Sequence, residues 1–422
     1  MSPRRLFWPL HPLYVLAPAA AVLLVALVGT GQMWSWPYLH WSLTDAQWHQ
    51  HFRLAGPMAA AAATLWATRL NRSSHVWVQP YARRLGGAVI ARHLGMLTAW
   101  YVGAYAVGML PLTVLTALAD PPGGPDLLVI ASGLVAIAAA TALGYAVGTV
   151  TGSTVAVPLV AVGAYLLDAV AVYGANAAAP YVPQLSYEPL LGESEPLTLA
   201  LFRTVFFLTV ATACAGTAAA FLRWNARGRR APAGHAAIVA GCLMPAVIVG
   251  VIPAFAAAPA TYVADPAPQR SCLTQRGIEY CVHAGHAARL DQLVAAFDPV
   301  LDRYGAKPAA FTKIWDQGLL PSHPMGGPTA NGTLIAPLKA DGSVDTVSSG
   351  LTATLLGFHS CSASGPDEDT FAVYRGLETY LRTGRSTDAF ANMNESRVKQ
   401  WIHNHRAQLE GCTLTDKDLP ST

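Results

Sequence analysis

Leu54-Ala-Gly-Pro-Met-Ala-Ala-Ala-Ala-Ala-Thr-Leu-Trp-Ala-Thr68 is the stretch on which the fold turns. A helix that crosses a bilayer needs about 20 mostly apolar residues, because the hydrocarbon core is about 30 Å thick and the helix rises about 1.5 Å per residue. By hydrophobicity alone this alanine-rich segment falls short. Its flanks decide the matter, since short cytoplasmic loops collect Arg and Lys. If 54–68 crosses, then Arg4 and Arg5, the five arginines Arg69, Arg72, Arg83, Arg84 and Arg92, and Arg223, Arg227, Arg229 and Arg230 all lie on one side. The loops on the other side keep Arg53 as their only basic residue, with Asp45, Asp120, Asp126, Glu188, Glu193 and Glu195. Without that crossing the second basic cluster falls on the wrong face.

Working outward, 13–31, 94–119, 127–150, 199–222 and 236–258 are long and apolar enough to span, and 155–172 is slightly shorter and apolar except for Asp168. The expected fold is an all-α membrane bundle of about seven helices, followed by a linker at 259–271 and an α+β domain with disulfides at 272–422. The N-terminus is expected in the cytoplasm, the C-terminal domain outside it, and the first helix is expected to stay uncleaved, as no small-residue cleavage site follows it.

Composition agrees with this division. The 422 residues are 53% hydrophobic and only 12% charged, with a mean hydropathy of +0.35. Residues 1–258 carry 13 arginines, no lysine and 7 acids, whereas 259–422 carry 14 basic and 17 acidic residues. The modest net charge of +3 and the lack of a basic stripe give no reason to expect nucleic acid as a partner. The partner expected first is the lipid bilayer.

Charge inside the spans needs a counterpart, because a lone intramembrane ion is costly. Asp168 and Arg203 lie at matching depths near the outer ends of the fifth and sixth spans, and are expected to pair. Gly144, Gly148 and Gly152 recur every fourth residue, a spacing that lets helix backbones approach closely. The loop 32–53 is rich in Trp34, Trp36, Tyr38, Trp41 and Trp48, side chains suited to the headgroup level. Thr44 with Gln47 reads as a capping box for a short helix there. His40, His49 and His51 in the same loop are a metal alternative without a spaced acid.

The stretch Ala142-Leu-Gly-Tyr-Ala-Val-Gly148, followed by Pro158-Leu-Val and Tyr165-Leu-Leu, is similar to the fourth and fifth spans of ABC-2-type exporter permeases, particularly divergent actinobacterial ones. The resemblance covers roughly residues 1–230. It implies a permease-like subunit acting as a dimer with a separate ATPase, and it implies that Arg69, Arg72, Arg83, Arg84 and Arg92 belong to the inner loop that couples to that ATPase. The chain has no G-x-x-x-x-G-K-[ST] phosphate loop of its own. The tail, with Cys281-Val-His283, Trp401 and Cys412, resembles an uncharacterised C-terminal domain on some of those permease-like proteins. A membrane-anchored binding or sensing protein is the alternative reading.

In the tail, an amphipathic helix is expected over 287–304, with Leu290, Leu293, Phe297, Val300 and Leu301 on one face and Gly305 as its stop. Short strands are expected over 306–347, and helices over 370–383 and 395–411. Cys272, Cys281, Cys361 and Cys412 allow three pairings, of which sequence proximity favours Cys272–Cys281 and Cys361–Cys412. Cys272, Cys281, His283 and His286 are the metal alternative. No H-E-x-x-H, G-x-S-x-G or other nucleophile signature is present, so no enzymatic activity and no cofactor are expected.

Overall fold

The computed structural model describes residues 11–36, 39–70, 85–173, 181, 189, 191–226, 261–265, 267–305, 308, 311–320, 332–336, 338, 347–357, 368–411, 413–414 and 418. The chain divides into two compact units, Met1–Pro189 with Ser194–Val263, and Leu190–Glu193 with Ala264–Thr422.

The first unit is a helical bundle. Its elements are α1 (Leu13–Gly31), α2 (Trp41–Gln50), α3 (Phe52–Leu70), α4 (Leu85–Ala119), α5 (Leu127–Thr151), α6 (Ala156–Tyr173) and α7 (Leu197–Ala226). Among the described residues, four helices are long and apolar enough to cross a membrane, namely Leu13–Gly31, Ile90–Ala119, Leu127–Thr151 and Leu197–Trp224. They carry outward-facing leucines such as Leu118 at 76% and Leu127 at 73% exposure, a surface that belongs in lipid. Helix α3, which covers the expected crossing at 54–68, is not among these four; it has 19 residues, with most of its alanines buried between neighbours. Ala156–Leu167 is a shorter apolar helix, and the expected crossing at 236–258 lies outside the described residues.

Helix α5 is central, packing against α3 on one side and α7 on the other. The glycine seam explains the α3 contact. A Cβ at Gly144 would sit 1.9 Å from the Ala60 carbonyl oxygen, and one at Gly148 would sit 2.5 Å from that of Thr64. The close approach lets the Thr64 hydroxyl donate to the carbonyls of Ala60 and Gly144, at 2.8 and 2.9 Å. Gly152 does not extend this seam. It caps α5 in the left-handed conformation, at φ +60°, with no atom near a would-be side chain.

The second unit is α+β. Strands β1 (Arg270–Gln275) and β2 (Ile278–His283) form an antiparallel hairpin, and β3 (Lys313–Asp316) and β4 (Thr333–Ala336) extend it in parallel, giving the order β1-β2-β3-β4. The hairpin turn is Arg276-Gly277, with φ of +54° and +72°. Positive φ at both central residues matches the twist of a two-residue hairpin. Arg276 tolerates it while its guanidinium binds Asp302 of the neighbouring helix.

Cys272 and Cys281 face each other in the hairpin register and form a disulfide. Closing a loop of this size contributes about 2–3 kcal/mol through the unfolded chain. Both thiols are therefore consumed, which removes the metal alternative built on them. Cys361 and Cys412 lie outside the described residues.

Helix α8 (Leu290–Tyr304) follows a 3-10 turn at Ala284–Arg289 and ends at Gly305, φ +79°, as expected. It buries Leu293, Phe297, Val300, Leu301 and Tyr304 together with Tyr280, Ile314 and side chains of α9 (Val347–Leu355), α10 (Glu368–Thr383) and α11 (Glu395–Asn404). A fully buried side chain of this size contributes about 1.5–3 kcal/mol. The expected helix over 395–411 is split, with α12 (Arg406–Glu410) following a break at His405.

Candidate functional site

The bundle holds a polar cluster at the end where α5 and α7 begin. Helix α2 is its scaffold. It starts at Trp41 because the His40 ring nitrogen Nδ1 accepts the Leu43 amide at 3.3 Å, so the expected cap at Thr44 lies inside the helix. Thr44 is buried and its hydroxyl is 2.6 Å from that of Thr116 on α4. All seven residues from Leu43 to His49 are buried. A helix lying among lipid headgroups keeps a wet face. Helix α2 has none over this stretch, so Trp48 is a bundle residue and not part of an interfacial belt, with its carbonyl accepting the Tyr105 hydroxyl at 2.9 Å.

One turn apart on α2 stand Asp45 and His49. Asp45 Oδ2 accepts the backbone amide of Asp126 at 2.9 Å, and Asp126 in turn caps α5 by accepting the Leu128 and Val129 amides. Asp45 Oδ1 is buried without a hydrogen-bond partner among the described residues. Burial pushes the Asp45 carboxyl up to about 7, the Asp126 amide counteracts this, and the carboxylates of Asp126 and Glu195 add to the rise.

His49 links three elements. Its Nε2 lies 2.7 Å from Ser132 Oγ and 3.1 Å from the Val129 carbonyl oxygen, both on α5. Its Nδ1 lies 3.2 Å from Arg203 Nη1 on α7 and 3.3 Å from Glu195 Oε2 just before α7. The same Arg203 nitrogen donates to Glu195 Oε2 at 2.7 Å. Arg203 and His49 are sealed from solvent, and Glu195 is nearly so. Burial works to raise the Glu195 carboxyl, but His49 and Arg203 outweigh it and hold it below the usual range.

Ser132, His49 and Glu195 follow one another as nucleophile, base and acid do in acyl transfer. Two features fix them otherwise. The Ser132 hydroxyl donates to the Val129 carbonyl at 2.9 Å, and Arg203 binds both the His49 nitrogen and the Glu195 oxygen that face each other. Next to Ser132, a Cβ at Gly133 would meet the Trp48 carbonyl oxygen at 2.6 Å, so α2 is seated directly on this part of α5. The arrangement binds helices together and presents no nucleophile to a substrate.

Of the residues expected at the site, Arg203 is central, with Glu195 and His49 as partners the sequence reading did not assign to it. The Asp168 side chain lies outside the described residues. The three loop histidines do not converge on one ion. His40 caps α2, His49 belongs to the ion cluster, and the His51 ring packs on Gly29 of α1, where burial pushes it down to about 4. In the expected coupling loop, Arg69 closes α3 and Arg92 is exposed on α4, whereas Arg72, Arg83 and Arg84 lie outside the described residues.

The second unit has its own polar focus, at the carboxyl ends of β2 and β3. Asp316 is buried and accepts from three sides. His286 Nδ1 lies 2.5 Å from its Oδ2, the His283 amide 3.3 Å from the same oxygen, and the Gly318 amide 3.2 Å from its Oδ1. His283 Nδ1 accepts the Gly285 amide at 3.2 Å, and burial pushes the His283 imidazole down, partly offset by Asp316. The carboxyl edge of parallel strands is where open α/β sheets take ligands. Here it is covered by the chain itself. A Cβ at Gly192 would lie 2.4 Å from the Gly318 carbonyl oxygen and 3.4 Å from His283 Cδ2, and the Gly192 carbonyl accepts the Asp265 amide at 2.8 Å. Among the described residues the one grouping with metal-ligand geometry is Cys272, Glu279 and Cys281, whose sulfurs are already joined to each other.

Compared with known proteins, the chain matches no family model, no curated protein and no solved structure.

Proposed function

We propose that this chain is a permease-like membrane subunit of an ABC-type exporter that works with a separate ATPase, and that the bundle end holding His49, Glu195 and Arg203 is its extracytoplasmic gate. The observation that carries this reading is the buried Arg203–Glu195 pair with His49 bridging to α5. Helices that serve only as an anchor associate through apolar packing and small residues, as α3 and α5 do along Gly144 and Gly148. A charged cluster at the mouth of the bundle adds a costly, reversible tie between elements, and such groups mark pathways and gates in membrane proteins. In this reading α2 is the plug, α7 the element that moves, and the arginines from Arg69 to Arg92 face the ATPase.

The experiment is to look for a P-loop ATPase encoded beside this chain, to co-purify it with the full chain, and to measure ATP turnover in lipid nanodiscs. Binding that is lost when Arg72, Arg83 and Arg84 are changed to glutamate supports the reading. An absent complex, with the loop held on anionic vesicles instead, removes it.

A membrane-anchored binding or sensing protein is the second reading. It is favoured by the His283, His286 and Asp316 group at the carboxyl edge of a parallel sheet, under a removable stretch of chain at Leu191 to Glu193. A ligand that binds the full chain and exposes 191–193 to proteolysis, with no ATPase involved, distinguishes it.

A further inference from the structure

Arg53 stands in the first turn of α3, and Tyr165 of α6 fixes its side chain in two ways. Its Nη2 donates to the tyrosine hydroxyl at 2.9 Å, and its guanidinium carbon lies 5.3 Å from the centre of the ring. A neutral phenol holds the group in place and leaves its charge intact. Along α1 and the start of α3 runs a half-open groove of about 390 Å³ that Arg53 helps to line. Its apolar wall is Leu24, Val25 and Val28 with Leu54, and Gln50 and His51 join Arg53 as its polar part. A Cβ at Gly29 would overlap the His51 ring, so that ring closes directly against the α1 backbone.

The depth of the groove is set by α1, one of the helices long and apolar enough to cross a membrane. Leu24 lies seven residues before the end of α1 at Gly31, so at about 1.5 Å per residue the wall reaches about 10 Å into the apolar length. Leu24, Val28 and Leu54 are exposed, which opens this wall to lipid. We propose that the groove binds one bilayer phospholipid with an anionic headgroup, its phosphate on the Arg53 guanidinium and an acyl chain along Leu24, Val25, Val28 and Leu54.

The two halves of the groove ask for the two halves of one molecule. A guanidinium offers a planar fork of N–H donors that matches phosphate oxygens, and an acyl chain gains from each methylene it lays on an apolar wall. The Gln50 side-chain oxygen accepts the Gln47 amide at 3.2 Å, so the Gln50 NH2 remains as a further donor. A water-soluble phosphate leaves the wall uncovered, and a neutral chain leaves the cation unmet. The headgroup preference rests on Arg53, because segments 32–52, 120–126 and 174–196 at this end of the bundle hold no Arg or Lys. An arginine that only snorkels moves freely at the surface, whereas this one is held against α6. Lipid bound here joins α1, α3 and α6, and it does so whether or not an ATPase is present.

Native mass spectrometry of the full chain, released from nanodiscs of phosphatidylglycerol and phosphatidylcholine with identical acyl chains, tests this. The wild type is expected to retain one phosphatidylglycerol per chain, with a preference over phosphatidylcholine of about fivefold or more. Arg53→Gln keeps a donor for the Tyr165 hydroxyl and is expected to lose the preference. Val28→Trp fills the groove and is expected to lose retention of both lipids. Excess glycerol phosphate is expected to displace neither. A wild type without preference, an Arg53→Gln chain that keeps it, a Val28→Trp chain that retains lipid as before, or displacement by glycerol phosphate overturns the proposal. Should Arg53→Gln fail to fold, phosphatidylglycerol with a photoactivatable acyl chain decides on the wild type. Adducts at 24–28 and 54 support the site, and adducts confined to other residues, as when a second copy or another helix covers the groove, overturn it.

Discussion

Arg203 Nη1 donates to Glu195 Oε2 at 2.7 Å across eight residues of chain, with both side chains withdrawn from solvent. Helix α7 begins at Leu197, so Glu195 stands just ahead of its first turn and Arg203 in its second. The acid is placed where amide groups of a helix start point outward and favour negative charge. The pair thus lies along the α7 axis, and His49 bridges it to α2.

Breaking this pair from one side leaves an uncompensated buried ion. Arg203→Met and Glu195→Gln are each expected to destabilise the bundle by about 3–5 kcal/mol, whereas the double substitution costs less than the sum because no charge is left behind. Thermal unfolding of the four proteins in the same nanodiscs checks this. Strictly additive losses contradict a direct pair.

Asp45 gives a pH dependence of definite sign. Burial pushes its carboxyl from the ordinary 3.8 up to about 7, so the folded chain holds this proton more tightly than the unfolded chain does. The stabilisation is complete below about pH 4 and is lost as pH rises toward 7, where the folded state must carry a buried charge. Asp45→Asn keeps an acceptor for the Asp126 amide and removes that charge. It is expected to raise the melting temperature by several degrees over wild type at pH 8, with the gain shrinking to nothing near pH 4. An equal gain at both pH values means that the charge is not what matters.

Much of the frame was legible in the residues. Apolar length marked α1, α4, α5 and α7, the four-residue glycine spacing marked a close-packing seam on α5 without naming its partner, and the apolar face ending at Gly305 marked α8. The site was half legible. Arg203 stood out as a charge in an apolar run, but its partner Glu195 sat in a loop among other acids, and His49 is 154 residues away in a stretch that also reads as an interfacial belt. Nothing local announces that the seven residues from Leu43 to His49 will be buried, because the groups that meet Thr44, Asp45, Trp48 and His49 come from α4, from α5 and its cap, and from α7. The start of α2 was misplaced for a local reason, as a histidine ring did the capping expected of Thr44. The β1–β2 hairpin went unread because its turn places Arg276 where Asn or Asp is usual.

Gly144 in the seam and Gly152 beyond it resist a side chain for different reasons. At Gly144 a methyl group would collide with the Ala60 backbone, which cannot rotate away, so Gly144→Ala is expected to cost about 1–3 kcal/mol by forcing α3 and α5 apart. At Gly152 there is open space, and Gly152→Ala is expected to cost only the left-handed strain, about 1–2 kcal/mol. Stability alone does not separate them. A cross-link between cysteines placed on the facing surfaces of α3 and α5 does, because its rate is expected to fall in Gly144→Ala and to stay unchanged in Gly152→Ala.

The carboxyl edge of the sheet responds to acid in the opposite sense to Asp45. Burial lowers the affinity of His283 for a proton in the folded state, with Asp316 opposing only in part. The unfolded chain therefore binds more protons, and the stability contributed here is complete above about pH 6.5 and is lost as pH falls through the ordinary histidine range toward the lowered value. His283→Asn retains an oxygen for the Gly285 amide without a titrating ring. In the full chain, peptides covering β2 and β3 are expected to lose exchange protection between pH 7 and pH 5 in the wild type, and to lose clearly less in His283→Asn. If the variant loses as much, His283 is not the group that carries the acid sensitivity of this edge.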